Sequence, residues 1–284
     1  MKTGLVLEGG AMRGMYTAGV LDIFMEQGIT FDGIIGVSAG ALFGVNFLSG
    51  QKGRAIRYNK RFNGDPEYMG IRPLLKTGNI VSTEYAYERV PRELDPFDDE
   101  IYMAVAAKVP FYAGITNIET GLPEYVRITS VFAQMDMLRA SGSMPFVSRP
   151  VQLDGMLYLD GGISDSIPWH KMRQLGYDRL VVILTRDKSY QKEPMSPALI
   201  HLFYHRRKGF ARTLRRRHIE YADSIRQLEA LEKAGSAILI RPSSPITIGR
   251  LETDPEKMEA VYQLGIRDTE AVQSAVQRFC RSKP

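Results

Sequence analysis

Short unbroken apolar runs alternate with apolar residues at helical spacing down the first part of the chain. GLVL at 4–7 precedes a helical pattern after Arg13, and GIIG at 33–36 precedes ALFGVNFL at 41–48. This reads as strand, helix, strand, helix. The connections are too short for anything but right-handed crossovers onto a parallel sheet, which puts the first two strands side by side at its centre. From 51 to 99 the pattern weakens around Pro66, Pro73, Pro91 and Pro96, and loops with short helices are expected to cap the sheet. Strand patterns return at 101–109 (IYMAVAAKV), 112–118 and 124–128, the last two joined in hairpin fashion through Thr120-Gly121. PVQL and MLYL flank Asp154-Gly155, a two-residue hairpin turn, and RLVVILT at 179–185 reads as a buried strand. Past Pro197 the residues Leu199, Leu202, Phe203, Phe210 and Leu214 predict an amphipathic helix. AILI at 237–240 is a last strand, and Asp254-Pro255 supplies an N-cap and first-turn proline for a terminal helix running towards Phe279. The expected organisation is an α/β body over 1–197 and, over 198–284, an extension of helices and a strand packed on the same domain.

Composition narrows the class. With 284 residues, 44% apolar and 24% charged, the chain has the makeup of a globular protein, and disordered or collagen-like classes are excluded. The single cysteine, Cys280, has no internal disulfide partner. Glu8, Arg13 and Asp22 interrupt the first 24 residues, so no signal-peptide core is visible, and no apolar run is long enough for a membrane span. A cytoplasmic protein is expected, with any membrane contact peripheral. The net charge of +5 resides in one segment: residues 205–218 hold seven Lys/Arg and no acid, and without them 30 basic residues face 32 acidic ones. A nucleic-acid protein with a basic face spread over the fold is therefore disfavoured. The basic segment reads either as a helix facing an anionic lipid surface or as a solvated helix packed through Leu199, Phe203, Phe210 and Leu214.

Three short motifs carry candidate chemistry. Gly36-Val37-Ser38-Ala39-Gly40 lies directly between a strand and a helical pattern, where a tight turn exposes a serine Oγ and Gly36 and Gly40 let the backbone reverse. Ser38 reads either as a nucleophile or as a helix N-cap. Gly9-Gly10-Ala11-Met12-Arg13-Gly14 follows the first strand and opens the first helix, offering backbone N–H groups to an anion. A dinucleotide fold begins similarly, but Asp32 precedes the second strand instead of ending it. Two neighbouring strand ends thus present an anion-binding loop beside a serine, as an acyl-transfer oxyanion hole requires. Asp160-Gly161-Gly162 ends the MLYL strand and reads either as a turn or as a carboxylate poised for general-base work, which needs partial desolvation to raise its pKa. Among the histidines, His201, His205 and His218 sit in or beside the basic segment, and His170 is the one alternative base.

Together these motifs resemble the patatin-like phospholipases, serine acyl hydrolases with a Ser-Asp dyad. The resemblance covers about Met1 to Thr185, and past Pro197 it is to a bacterial branch of the family. Ala140-Ser141, followed by Pro145 and Pro150, resembles the family's segment before its Asp motif. The resemblance implies a three-layer α/β/α fold with a central, mostly parallel sheet and a C-terminal helical extension. It implies Ser38 as nucleophile and Asp160 as base. Gly9, Gly10, Ala11, Arg13 and Gly14 would form the oxyanion loop. Lipid acyl esters are the implied substrates, with no metal and no cofactor. Two positions depart from the pattern: Ala11 stands where the family usually has a third glycine, and Ser166 where an Asn often follows the Asp motif. The competing readings are an α/β-hydrolase-type esterase using His170 or another histidine as base and a non-catalytic protein that binds lipid or nucleic acid through 205–218.

Overall fold

The computed structural model describes residues 1–281. Its strands are β1 (Thr3–Leu7), β2 (Gly33–Val37), β3 (Phe111–Asn117), β4 (Pro123–Ile128), β5 (Val151–Leu153), β6 (Met156–Asp160), β7 (Arg179–Ile183) and β8 (Ala237–Ile240). Its α-helices are α1 (Met15–Glu26), α2 (Ala39–Leu48), α3 (Arg54–Phe62), α4 (Ile71–Thr77), α5 (Asp99–Ala106), α6 (Met135–Gly142), α7 (Trp169–Gln174), α8 (Pro197–Tyr204), α9 (Lys208–Lys233) and α10 (Pro255–Arg281).

All the strands join one sheet in the order β5-β6-β3-β2-β1-β7-β8, with β4 pairing β3. The pairs of β1 with β2 and β7, β2 with β3, and β7 with β8 are parallel; β4, β5 and β6 enter antiparallel. The central strands are buried on both faces, which is why they read as apolar runs. Leu5, Leu7, Ile34, Val181 and Ile183 pack beneath α1, α2 and α10, while Val6, Ile35, Leu180 and Val182 pack against Trp169 and Met172 of α7 and Tyr221 and Leu228 of α9. The period-two alternation divides the side chains between two cores, giving three layers, α/β/α.

Both hairpins form as their turns predict: Asp154 and Gly155 adopt φ +48° and +82°, and Gly121 φ +74°. Two expectations need correction. Residues 101–106 lie in helix α5 and 107–109 in the turn after it, not in a strand. The Asp98 side chain accepts from the N–H of Ile101 at 2.9 Å, and Asp99 and Glu100 add negative charge to the first turn. Tyr102 and Ala106, four apart, are the apolar side chains it buries. The basic segment is not part of one helix, because the chain breaks between Tyr204 and Lys208 into α8 and α9.

Residues after 198 are built into this architecture: β8 extends the sheet beyond β7, and α10 lies across α1. At that crossing the backbones nearly touch. A β-carbon on Gly19 would stand 2.2 Å from the Tyr262 carbonyl oxygen, and one on Gly265 2.2 Å from that of Tyr16. No helix among the described residues is long and apolar enough to cross a membrane.

Candidate active site

Strand register brings the candidate residues together. Val37 at the end of β2 pairs with Gly114 of β3, and Asp160 at the end of β6 pairs with the next residue, Ile115. Because β6 runs antiparallel, the C-terminal ends of β2 and β6 meet over β3. Ser38 Oγ donates to Asp160 Oδ2 at 2.7 Å, across 122 residues of sequence. Both residues are buried, at 8% and 7% exposure, so little water competes for this bond.

Ser38 occupies φ +55°, ψ −126° at the N-cap of α2 and makes no side-chain cap bond. A non-glycine residue in that region carries strain of about 1–3 kcal/mol and persists only where its surroundings enforce it. Here they do. A β-carbon on Gly36 would lie 2.6 Å from the Gly40 carbonyl oxygen, and one on Gly40 2.5 Å from that of Leu7. The Ser38 N–H donates to Ser141 Oγ at 3.0 Å, and that hydroxyl donates to the Gly114 carbonyl at 2.7 Å, tying the turn to α6 and β3.

Asp160 is held equally firmly. Its Oδ1 accepts from the Gly162 N–H at 2.7 Å, its own N–H donates to the Ser143 carbonyl at 2.9 Å, and its carbonyl accepts from Thr116 Oγ1 at 2.8 Å. The chain leaves the strand through a 3₁₀ turn, Gly161–Ile163, pressed so closely on β3 that a β-carbon on Gly161 would sit 2.2 Å from the Gly114 carbonyl oxygen. Burial pushes the Asp160 carboxyl above its ordinary range. The Ser38 hydroxyl, the Gly162 N–H and the cations Arg217 and Arg250 pull the other way without cancelling it.

The glycine-rich loop covers the serine. A β-carbon on Gly9 would lie 2.8 Å from Ser38 Cβ, and one on Gly10 2.6 Å from Thr185 Oγ1. Among the described residues, no oxygen of the chain accepts from the N–H of Gly10 or Ala11, which leaves both donors free for a ligand. Ala11 adopts φ +49°, the conformation in which glycine would be unstrained. Gly14 packs against Ala39 and Phe43 of α2, fixing the loop to that helix. Arg13 lines the cavity, and burial together with Arg186 pushes its guanidinium down to about 10.

Two cavities meet at Ser38. One is apolar and is lined by Leu42, Phe43, Val90, Phe97, Val131 and Leu138. The other is polar and holds Glu8, Asp160 and the cations Arg13, Arg186, Lys192, Arg217 and Arg250. Ser38, Ala11, Met144 and Arg250 line both. His170 lies outside this site, exposed and stacked on Trp169 at 3.6 Å between ring centres. His201 and His205 are on the surface of α8 and just beyond it. The structure adds Ser141 and the cations beyond the glycine-rich loop. Ser141 had one sequence signal, its place in the segment before the Asp motif. The individual cations had none, because a basic run looks alike whether its side chains face water or a cleft.

A patatin-like phospholipase family model matches residues 5–172, and a model of a domain of unknown function, DUF6363, matches residues 207–281. The uncharacterized protein YjjU of Escherichia coli K12 is 34% identical over 186 residues, covering 65% of this chain and 52% of YjjU. Lysophospholipase NTE1 of Scheffersomyces stipitis is 23% identical over 292 residues, covering 93% of this chain and 17% of that protein. The chain thus spans about half of the first relative and a small part of the second. The crystal structure of VipD from Legionella pneumophila aligns with a TM-score of 0.48 at 13% identity, over 96% of this chain and 67% of that one. With its family match running from β1 to α7 and so including the glycine-rich loop, Ser38 and Asp160, the chain belongs to the patatin-like phospholipase family.

Proposed function

We propose that this chain hydrolyses carboxylic esters of lipids through an acyl-enzyme on Ser38, with Asp160 as general base. The observation that carries the proposal is the 2.7 Å bond between a strained, buried serine hydroxyl and a buried carboxylate at the mouth of an apolar cavity. Asp160 takes the Ser38 proton as Oγ attacks the ester carbonyl carbon. The tetrahedral oxyanion is held by the free N–H groups of Gly10 and Ala11, near the positive end of α2. Collapse breaks the ester C–O bond, and the proton passes from Asp160 to the departing alcohol. Asp160 then deprotonates water, which attacks the acyl carbon and releases the fatty acid and Ser38. A raised carboxyl pKa suits this role, since an ordinary aspartate is a weak base. The apolar cavity suits an acyl chain, and the relatives named lysophospholipases agree with a lipid ester.

Intact-mass detection of a fluorophosphonate adduct tests the dyad. Wild type should gain one adduct, Ser38→Ala none, and Asp160→Asn should label slowly. No adduct on folded wild type would sink the proposal.

The same reading sets α8 and the start of α9 against an anionic lipid surface. Leu199, Leu202 and Phe203 are exposed, at 47%, 67% and 53%, so only Phe210 and Leu214 of the predicted apolar stripe are fully buried. Arg206, Lys208, Arg212 and Arg215 are exposed nearby. Each such cation contributes about 1 kcal/mol of attraction near an anionic membrane. Sedimentation with phosphatidylserine vesicles at low salt, lost in a Leu202→Ser/Phe203→Ser variant, is the expected result; equal binding by that variant would refute this orientation.

A further inference from the structure

The polar cavity at Ser38 is over-supplied with positive charge. Arg13, Arg186, Lys192, Arg217 and Arg250 line it against two carboxylates, Glu8 and Asp160. Glu8 is already engaged, accepting from the Thr185 N–H at 2.6 Å and from Thr185 Oγ1 at 3.2 Å, and Asp160 accepts from Ser38 and Gly162. None of the five cations belongs to an ion pair among the described residues, although the exposed basic residues Arg207 and Arg216 pair with Glu119 and Glu220. The hydrogen-bond and ring contacts of Arg217, Lys192 and Arg186 are with neutral groups. Arg217 Nε donates to the Gly162 carbonyl, Lys192 Nζ to Ser166 Oγ at 3.1 Å, and the Lys192 and Arg186 head groups lie 3.9 Å and 4.0 Å from the ring centres of Tyr221 and Tyr190. The Nε atoms of Arg13 and Arg186 are buried with no partner at all. Burial drives the Lys192 ammonium well below its ordinary range, with Arg217, Arg13 and Arg186 pushing the same way and Glu8 opposing them.

Unpaired cations in a half-buried cleft are costly unless a ligand with complementary charge completes them. Four of the five lie beyond residue 172, outside the patatin-like match: Arg186 and Lys192 fall in neither family match, and Arg217 and Arg250 fall in the one to the domain of unknown function. We propose that this cluster binds the phosphate group of an anionic glycerophospholipid whose headgroup is a phosphomonoester. The proposal rests on the hydrolase reading above and names its substrate class. A dianionic phosphate with three terminal oxygens matches several converging donors, and Arg favours this chemistry. Because the two cavities share Ser38 and Ala11, an acyl chain in the apolar one and a phosphate in the cationic one leave the ester carbonyl between them, at Ser38. A quaternary ammonium headgroup would instead bring positive charge to five cations.

The test compares monoacylglycerol phosphate with monoacylglycerol phosphocholine of the same acyl chain in neutral detergent micelles. Wild type should favour the phosphomonoester at least ten-fold in kcat/KM. That ratio should fall at least ten-fold in Arg186→Gln/Lys192→Gln, chiefly through KM, and be largely restored in Arg186→Lys/Lys192→Arg. Should the first variant not fold, Arg250→Gln at the exposed rim reads the same ratio. Equal kcat/KM for the two lipids would overturn the proposal while leaving the hydrolase reading intact. Calorimetric titration of Ser38→Ala with monoacylglycerol phosphate and with inorganic phosphate separates the remaining cases. Tight binding of the lipid without turnover by wild type would overturn the hydrolase reading and support the anion site. Equal affinity for inorganic phosphate would overturn the lipid assignment.

Discussion

Arg217 of α9 reaches the Gly162 carbonyl, so a helix outside the patatin-like match holds the turn whose Gly162 N–H fixes the Asp160 carboxylate. The C-terminal residues are therefore joined to the turn beside Asp160 by a side chain, and not only to the sheet by β8 and to α1 by α10. Of the seven basic residues in 205–218, Arg217 lines the candidate active site, while Arg207 and Arg216 pair with Glu119 and Glu220 on the surface. A uniform basic run in sequence is divided into separate tasks by the fold.

Asp160→Asn keeps an oxygen for the Gly162 N–H but cannot take the serine proton. Its kcat should fall about 10²–10⁴-fold. Because the folded carboxyl is raised, the folded state holds its proton more tightly than the unfolded chain, whose aspartate titrates near 3.9. Wild type then loses stability as pH climbs from that value through the raised one. Thermal melts should show Asp160→Asn and wild type alike below about pH 4 and the variant more stable at pH 7. A variant less stable at pH 7 would contradict the burial argument. On the same grounds, the acid limb of wild-type kcat/KM should lie above the ordinary carboxylate range.

Ser141→Ala removes the hydroxyl between the Ser38 N–H and the Gly114 carbonyl. Two buried backbone groups lose their partner, at a cost of about 1–3 kcal/mol. Since the loss falls on the strained turn, kcat should drop while KM for a short-chain ester changes little. Steady-state kinetics that show the reverse split would remove Ser141 from a positioning role.

Gly19→Ala and Gly265→Ala each force a methyl group into a facing backbone at the crossing of α1 and α10. Each should cost about 1–3 kcal/mol. In a chain of this size that lowers Tm by about 2–4 °C per kcal/mol. If α10 unfolds with the sheet, denaturant melts of both variants stay single transitions with reduced midpoints. A separate early transition would show that α10 detaches on its own.

Ala11→Gly tests the departure from the glycine pattern. Alanine at positive φ costs about 1–2 kcal/mol, and glycine returns about 0.5–1 kcal/mol of unfolded-state freedom. The variant should be equal to wild type or slightly more stable, with kcat undiminished, because the two loop N–H groups stay where they are. Ala11→Val, β-branched in the same backbone state, should lose both stability and turnover. A loss in Ala11→Gly would mean that the methyl group itself contributes packing.

The sequence by itself determined the local elements and the three motifs. Runs such as LVL and GIIG are apolar because central parallel strands are covered on both faces, and Asp154-Gly155 and Thr120-Gly121 carry their turn conformations in their own chemistry. Residues 101–109 misled the same reasoning: a mixed apolar run fits either period, and the decisive cap, Asp98, stands before it. Tertiary structure alone decided what meets what. Ser38 and Asp160 are 122 positions apart, and only the register of β2 and β6 on β3 sets their side chains 2.7 Å from each other. The same holds for Ser141 beneath the turn at Ser38 and for Arg186, Lys192, Arg217 and Arg250 around the cleft. Local chemistry is written in neighbouring residues, whereas a site is made of side chains from distant strands and helices, and their meeting depends on the packing of the whole chain.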